Sequence, residues 1–335
     1  MKEITILQND AGQRLDKFLS KAYPNLPPSL LYKAVRTKKI KVNRARTQPG
    51  YMLSAGDCIQ MFLPPDLFEK QERDESSLAR IRPNLDIVYE DKDILILNKR
   101  PGVLVHEDEA NNDNTLIRHV QAYLYQKGEY NPQTEQSFAP ALCNRIDRNT
   151  GGLVLAAKNA EALRCMNEWI RKDELEKFYI CAVHGIPQKK SQTLHAFIRK
   201  DEKENLVRVY DSPVPGSKEI ATRYELLAQT GDQALLLIEL LTGRTHQIRA
   251  HMAHIGHPLL GDGKYGINRN ERKDGFKHQA LYAFCLRFSK EHENRYLADL
   301  EGKSFRIPLS EIWFLGDFPS FSAKTLDRVL NRTDK

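Results

Sequence analysis

Asp147 stands between Arg145 and Arg148 in the segment Asn144-Arg145-Ile146-Asp147-Arg148-Asn149-Thr150-Gly151-Gly152. A carboxylate beside guanidinium groups is expected to stay ionised, because nearby positive charge favours the anion. The two glycines remove side chains where another molecule could approach the backbone. The pattern therefore offers an ionised carboxylate next to cations able to hold phosphate. A second dense segment, Leu241 to Asp262, contains Gly243-Arg244-Thr245-His246-Gln247-Ile248-Arg249-Ala250-His251. Ile248, Met252 and Ile255 fall on one helical face, with Gly256 and Pro258 as stop signals. The spacing predicts a helix from near Thr245, with Arg249 about one turn in and able to point across a cleft. Tyr179 lies in the strand-like run Phe178 to Val183, where a tyrosine is ordinarily core.

These residues need elements to hold them. Asp93 to Asn98 reads as a buried strand, Pro101-Gly102 as a tight turn, and Val103 to His106 as a second short strand. A helix follows on Leu116, Ile117, Val120 and Leu124. Leu153 to Ala157 reads as a buried strand after the Asp147 loop. Asn159 is expected to cap a helix carrying Leu163, Met166 and Ile170. The apolar runs Phe178 to Val183, Ile220 to Leu227 and Ala234 to Leu240 read as strands. Strands separated by single helices, without regular alternation, predict an α+β domain on a mixed, largely antiparallel sheet.

Upstream lies a small basic module. Residues 11 to 48 hold ten Lys and Arg against one acid, a net +9, while the whole chain of 335 residues carries +7. Helical spacing of Leu15, Phe18, Leu19 and Ala22 predicts a first helix over 12–23, ended by Pro24. Ser29 is the expected N-cap of a second, with Leu31, Ala34 and Val35 facing inward. Ile40-Lys41-Val42-Asn43 and Ile59 to Leu63 alternate like strands. Two short helices and a small sheet with cations on the open faces suit a folded RNA surface, since phosphate contacts supply most of such affinity. Prolines and the charged run Glu69 to Glu75 mark 66–82 as a linker crossed by few contacts. The expected division is a basic module over 1–65, the linker, and a larger domain over 83–325.

The Asp147 segment resembles the catalytic motif of the RluA family of pseudouridine synthases, H-R-L-D-x-x-T-S-G. Arg145, Asp147, Thr150 and Gly152 match; Asn144, Ile146 and Gly151 depart from it. The Leu241 to Asp262 segment is similar to the family's G-R-T-H-Q-I/L-R-x-H and G-H-P-I/L-x-G-D over more than 20 positions. Glu176-Lys177-Phe178-Tyr179 resembles the family's K-x-Y strand. The module is similar to the S4 RNA-binding domain through Arg14 to Leu19, Lys39 to Asn43 and Leu53 to Asp57, which makes it an S4-like α/β unit. The resemblance implies a sheet with a cleft across its middle and the isomerisation of uridine to pseudouridine in RNA. That reaction needs no nucleotide cofactor and no metal.

Under this resemblance Asp147 is the catalytic carboxylate, either attacking C1′ or assisting a glycal-like route. Tyr179 stacks on the base and takes part in the C5 proton transfer, and Arg249 pairs with Asp147. Arg145 enters the space left when the uridine flips out. Arg148, Arg244 and His246, with Arg14, Lys17, Lys33, Arg36, Lys38 and Lys39 of the module, are expected to bind RNA. The wording of the motif and the S4 module look like the RluC-like branch, which modifies large-subunit (23S) ribosomal RNA. The expected partner is that RNA or its precursor particle.

Composition bounds the alternatives. No run of 18 apolar residues exists, and Met1 to Thr5 lacks the apolar core of a signal peptide, so a cytoplasmic monomer without membrane contact is expected. Five scattered cysteines without a C-x-x-C pair argue for free thiols. No G-x-x-x-x-G-K-[ST] or G-x-G-x-x-G occurs. His251 and His254 are ligand-compatible on one helix face, but no H-E-x-x-H accompanies them, so metal hydrolysis ranks low. The rival is a catalytically inactive S4-type RNA-binding factor in ribosome assembly. The co-occurrence of Asp147, Tyr179 and Arg249 argues against it.

Overall fold

The computed structural model describes residues 1–68, 75–106, 114–201, 204, 206–266 and 276–332. The N-terminal unit is a four-stranded sheet in the order β1-β4-β2-β3, made of β1 (Lys2–Thr5), β2 (Ile40–Val42), β3 (Ala45–Arg46) and β4 (Cys58–Met61). Helices α1 (Leu15–Ala22) and α2 (Pro28–Arg36) pack on it with the expected apolar faces. Their core is self-contained and runs from Ile6 to Phe68. Ser29 is not the N-cap of α2. Pro28 opens the helix after Pro27, with no side-chain cap, because a proline at the first helical turn has no N–H to satisfy.

The larger unit is one mixed sheet. Its path runs β11-β10-β12-β13-β9-β14-β8-β6-β5, with β15 on β14 and β7 on β8. The strands are β5 (Ile87–Glu90), β6 (Ile94–Lys99), β7 (Ala141–Leu142), β8 (Gly151–Ala157), β9 (Leu175–His184), β10 (Ser191–Asp201), β11 (Leu206–Tyr210), β12 (Lys218–Thr230), β13 (Gln233–Leu240), β14 (Leu281–Phe288) and β15 (Ser304–Arg306). β8 and β14 are parallel; the other ladders are antiparallel. The α+β expectation holds. Helix α5 (Ala160–Arg171), capped by Asn159 as expected, and α7 (Ala323–Leu330) cover one face. Helices α4 (Leu116–Gln126) and α6 (Gln247–His254) cover the other. Because α7 runs to Leu330 with Leu326, Val329 and Leu330 buried, a domain end at residue 325 would cut through it.

Two expectations about connections fail. The interval 66–82 carries helix α3 (Glu75–Arg80), whose Leu78 is buried in the core beneath α4. The charged run from Glu69 to Asp74 lies outside the described residues. The two units also touch directly. Buried Asp10 accepts the Ser137 N–H at 3.0 Å, and Gln13 Nε2 donates to Ser137 Oγ at 2.9 Å. Asn9 Nδ2 donates to Glu135 at 3.0 Å, and Arg164 donates to the Ala11 carbonyl at 2.9 Å. Sequence hid this seam because it is polar, and polar residues read as solvated surface. After β6, Leu104 forms a single bridge to Thr115 instead of the expected second strand.

Candidate active site

The Asp147 loop joins β7 to β8, and its backbone is pinned from several sides. Asn144 Oδ1 accepts the Leu155 N–H at 2.7 Å, so the asparagine standing in the His position ties the loop to β8. Thr150 N–H closes a turn on the Asp147 carbonyl at 3.0 Å. Gln279 Nε2 donates to Thr150 Oγ1 at 3.1 Å. Lys99, at the end of β6, is 1% exposed. Its ammonium donates to the carbonyls of Arg148 (2.8 Å), Val103 (2.9 Å) and Arg100 (3.1 Å). Burial pushes that ammonium down to about 7, against the pull of the Asp147 charge. The sequence motifs give Lys99 no role, although a lysine ending an otherwise apolar strand is a signal.

The glycines do a different job from the one expected. At Gly152, φ is +112°, and a Cβ would overlap the Ala283 backbone; at Gly151 it would overlap the Tyr282 ring. The molecule that approaches is therefore β14 of the same chain. The glycines permit the parallel β8–β14 contact that carries the loop into the middle of the sheet.

Across the cleft, α6 starts at Gln247, two residues later than predicted. His246 before it is left-handed, at φ +53°. Gln247 is buried and fixes this start. Its Oε1 accepts from Thr242 Oγ1 (2.9 Å) and Arg244 N–H (3.0 Å), and its Nε2 donates to the Ala221 carbonyl (3.0 Å). Arg249 on the first turn of α6 donates from Nη1 to Asp147 Oδ2 at 2.7 Å. From Nε and Nη2 it donates to both oxygens of Asp262, at 2.7 and 2.8 Å. The ion pair of Asp147 thus runs to Arg249, not to its sequence neighbours Arg145 and Arg148, which are both exposed. Burial opposes the charge on Arg249. The hydrogen bonds and charge of Asp262, joined by Asp147, outweigh it and hold the guanidinium above its ordinary value. The Asp262 side chain is 0% exposed. Burial works against its ionisation too, yet Arg249 and the N–H groups of Lys264 and Tyr265 hold it below the usual carboxylate value.

Tyr179 faces the same cleft, 8% exposed. Burial and then the Asp147 charge push its phenol well above the ordinary value, so it keeps its proton at neutral pH. That leaves a ring face and a hydroxyl, and no phenolate base. His246 Nε2 lies 3.9 Å from Asp147 Oδ1, and its Nδ1 lies 2.9 Å from Tyr265 Oη. Tyr265 Oη also accepts the Val207 N–H at 3.0 Å. Burial foremost lowers the His246 pKa, against the charge of Asp147, and so favours the neutral ring. The other histidines of the segment turn elsewhere: His251 to Thr222, His254 to Asp211 and His257 to the His184 carbonyl.

Asp147, Tyr179, Arg249, Arg145, Arg244 and His246 line one cavity of about 260 Å³. Arg148 turns instead into an adjoining hollow with Lys277 and His278, its Nε donating to the Gly102 carbonyl at 3.1 Å. Lys17, Lys33, Arg36, Lys38 and Lys39 are exposed on the N-terminal unit. Lys33 and Arg36 line a groove there with Tyr32 and Arg46. Arg14 is not a free cation: it pairs with Asp16 at 2.7 Å.

Two relatives decide the family. A Vibrio parahaemolyticus protein named ribosomal large subunit pseudouridine synthase C is 33% identical over 316 residues, spanning 91% of this chain and 94% of its own. One of the same name from Vibrio cholerae is 34% identical, spanning 85% and 88%. The chain belongs to the RNA pseudouridine synthases. The synthase also matches the family profile described as RNA pseudouridylate synthase over residues 93–254 and the S4 domain over 13–59. Human RNA pseudouridylate synthase domain containing 1 shares its fold, with a TM-score of 0.51 at 24% identity, covering 70% of this chain and 94% of that one. The synthase acts on RNA and isomerises uridine to pseudouridine.

Proposed function

We propose that this synthase modifies specific uridines of large-subunit ribosomal RNA in the cytoplasm, as a monomer. Residues 1–65 serve as the RNA-gripping module, and the catalytic unit runs from α3 to α7. The relatives named for the large ribosomal subunit support the substrate, and the S4 domain with its exposed cations supports the grip on phosphates. The observation that carries the catalytic reading is the doubly anchored guanidinium. Arg249 is oriented by Asp262 through Nε and Nη2 and presents an Nη1 N–H to Asp147 at 2.7 Å.

In this reading Asp147 acts at the sugar, where the N1–C1′ bond breaks and the C5–C1′ bond forms. The C5 proton is lost and N1 gains one, so the change is redox-neutral. Tyr179 offers the ring on which the detached uracil turns, and its hydroxyl takes part in the C5 proton transfer. Arg145 and Arg244, exposed at the cavity rim, hold the flanking nucleotides once the uridine is flipped. Asp147→Asn should abolish pseudouridine formation while RNA affinity stays within about threefold, because affinity rests on the cations. Pseudouridine mapping of ribosomal RNA from cells with and without the gene identifies the sites. The purified variant is then assayed on that RNA, and substantial turnover by it would sink the assignment.

A further inference from the structure

Lys177 takes no part in the chemistry above, yet it lines the cavity of Asp147 and Tyr179. It sits two residues before Tyr179 on β9. Side chains alternate along a strand, so the two share a face about 6.6 Å apart. Phe178 between them goes to the opposite core. Lys177 is half-buried, and among the described residues no hydrogen bond or ion pair reaches its ammonium. The neighbouring Glu176 is engaged with Arg287. Burial lowers the Lys177 pKa, with only the charge of Asp173 opposing. A half-buried cation without a partner, on the wall of a substrate cavity, is a donor set aside for the substrate.

Its place along the cavity says which part of the substrate. The Asp147 loop enters β8 at Gly151, opposite Tyr282 of β14, whereas Tyr179 lies opposite Ala283 and Lys177 further along, opposite Leu286. The order is therefore carboxylate, ring, ammonium. With the sugar at Asp147 and the base on Tyr179, the edge of the base remote from the sugar reaches Lys177. In uracil that edge carries the C4 carbonyl oxygen; in cytosine it carries an amine. An ammonium donates and cannot accept, so it pairs with the first and is left facing a donor by the second.

We propose that Lys177 is a specificity-determining residue that donates to O4 of the target uracil and thereby discriminates against cytosine. This rests on the reading of Asp147 as the group at the sugar. The test is a cycle between protein and RNA. The RNA is a transcript carrying a mapped target uridine, made with uridine or with 2-pyrimidinone riboside, which lacks O4, at that position. Affinities are measured in the Asp147→Asn background, so that no product accumulates. The parent should bind the riboside RNA roughly ten- to hundredfold more weakly, the range for a hydrogen bond to a charged group. Lys177→Met should bind uridine RNA equally weakly and lose nothing further on the riboside. Lys177→Arg, which keeps a donor, should retain the discrimination, and it carries the test if the Met variant does not fold. Losses that multiply between variant and analogue, or a Met variant that binds uridine RNA like the parent, would overturn the proposal. If the unmutated synthase makes no pseudouridine in the uridine transcript, the broader reading of the site fails instead.

Discussion

Arg249 is held by more than its catalytic partner, and this changes what its removal should do. Arg249→Met leaves the fully buried Asp262 carboxylate without its counter-ion, which should destabilise the fold by about 3–5 kcal/mol. The double variant Arg249→Met/Asp262→Asn should recover much of that loss, and denaturant unfolding of the pair measures it. The Asp262 pKa is lower folded than unfolded. Its contribution is therefore complete above the ordinary carboxylate value and is lost as pH falls through the folded value. The double variant should accordingly lose less stability than the wild type as pH falls below the ordinary carboxylate range. Tyr179→Phe keeps the ring and should leave stability nearly unchanged while most turnover is lost. Its elevated pKa adds that the wild-type rate should show no limb from this phenol below about pH 9. A Phe variant with near-normal rates would reduce Tyr179 to packing.

At the scale of elements, the site depends on one parallel contact in a sheet of antiparallel ladders. β8 can lie against β14 because Gly151 and Gly152 put no Cβ between them. Gly152→Ala adds a methyl where the Ala283 backbone already sits and forces a side chain onto a backbone at φ +112°. The expected cost is about 2–5 kcal/mol, summing strain and overpacking. Activity should fall with it, because the Asp147 loop leaves from the same end of β8. Thermal unfolding and turnover should be read together; a fully stable Gly152→Ala protein would show that the strands can part without cost. The apolar strand runs are legible from residue type alone. β14, Leu281 to Phe288, is nearly all apolar too but is not among the runs named from sequence, and only the fold sets its place between β8 and β9.

The whole molecule is two units joined by a polar seam. No residue of the N-terminal core belongs to any of the three core clusters of the larger unit. Removing residues 1–66 should therefore leave a folded catalytic unit, with α3 retained beneath α4. The cost should be small, because the seam consists of hydrogen bonds that water can replace. RNA affinity should fall, and its dependence on salt should flatten by about one log–log unit for each phosphate that the module no longer neutralises. Equal salt slopes for the full and truncated proteins would show that the module does not hold RNA. Turnover on saturating RNA should persist, since Asp147, Tyr179 and Arg249 all lie beyond the cut.

Residue types and their spacing were enough to determine the family, the two-unit order, the α+β class and the acid, ring and guanidinium that meet in the cleft. Each rests on a pattern local in sequence: a short motif, a helical face, a strand alternation. Tertiary structure alone decided how those residues are held. Asp147 and Arg249 are 102 positions apart, and the arginines beside Asp147 in sequence turn outward. The glycines serve a strand more than a hundred residues away. In sequence Asp262 is the end of a motif, Lys99 a charged residue ending a strand and Lys177 the lysine of the K-x-Y-like strand. What each side chain meets is set by which strands pair and which face it takes. Burial then makes an ion pair or a lone ammonium consequential, and burial is a property of the assembled sheet, not of any stretch of the chain.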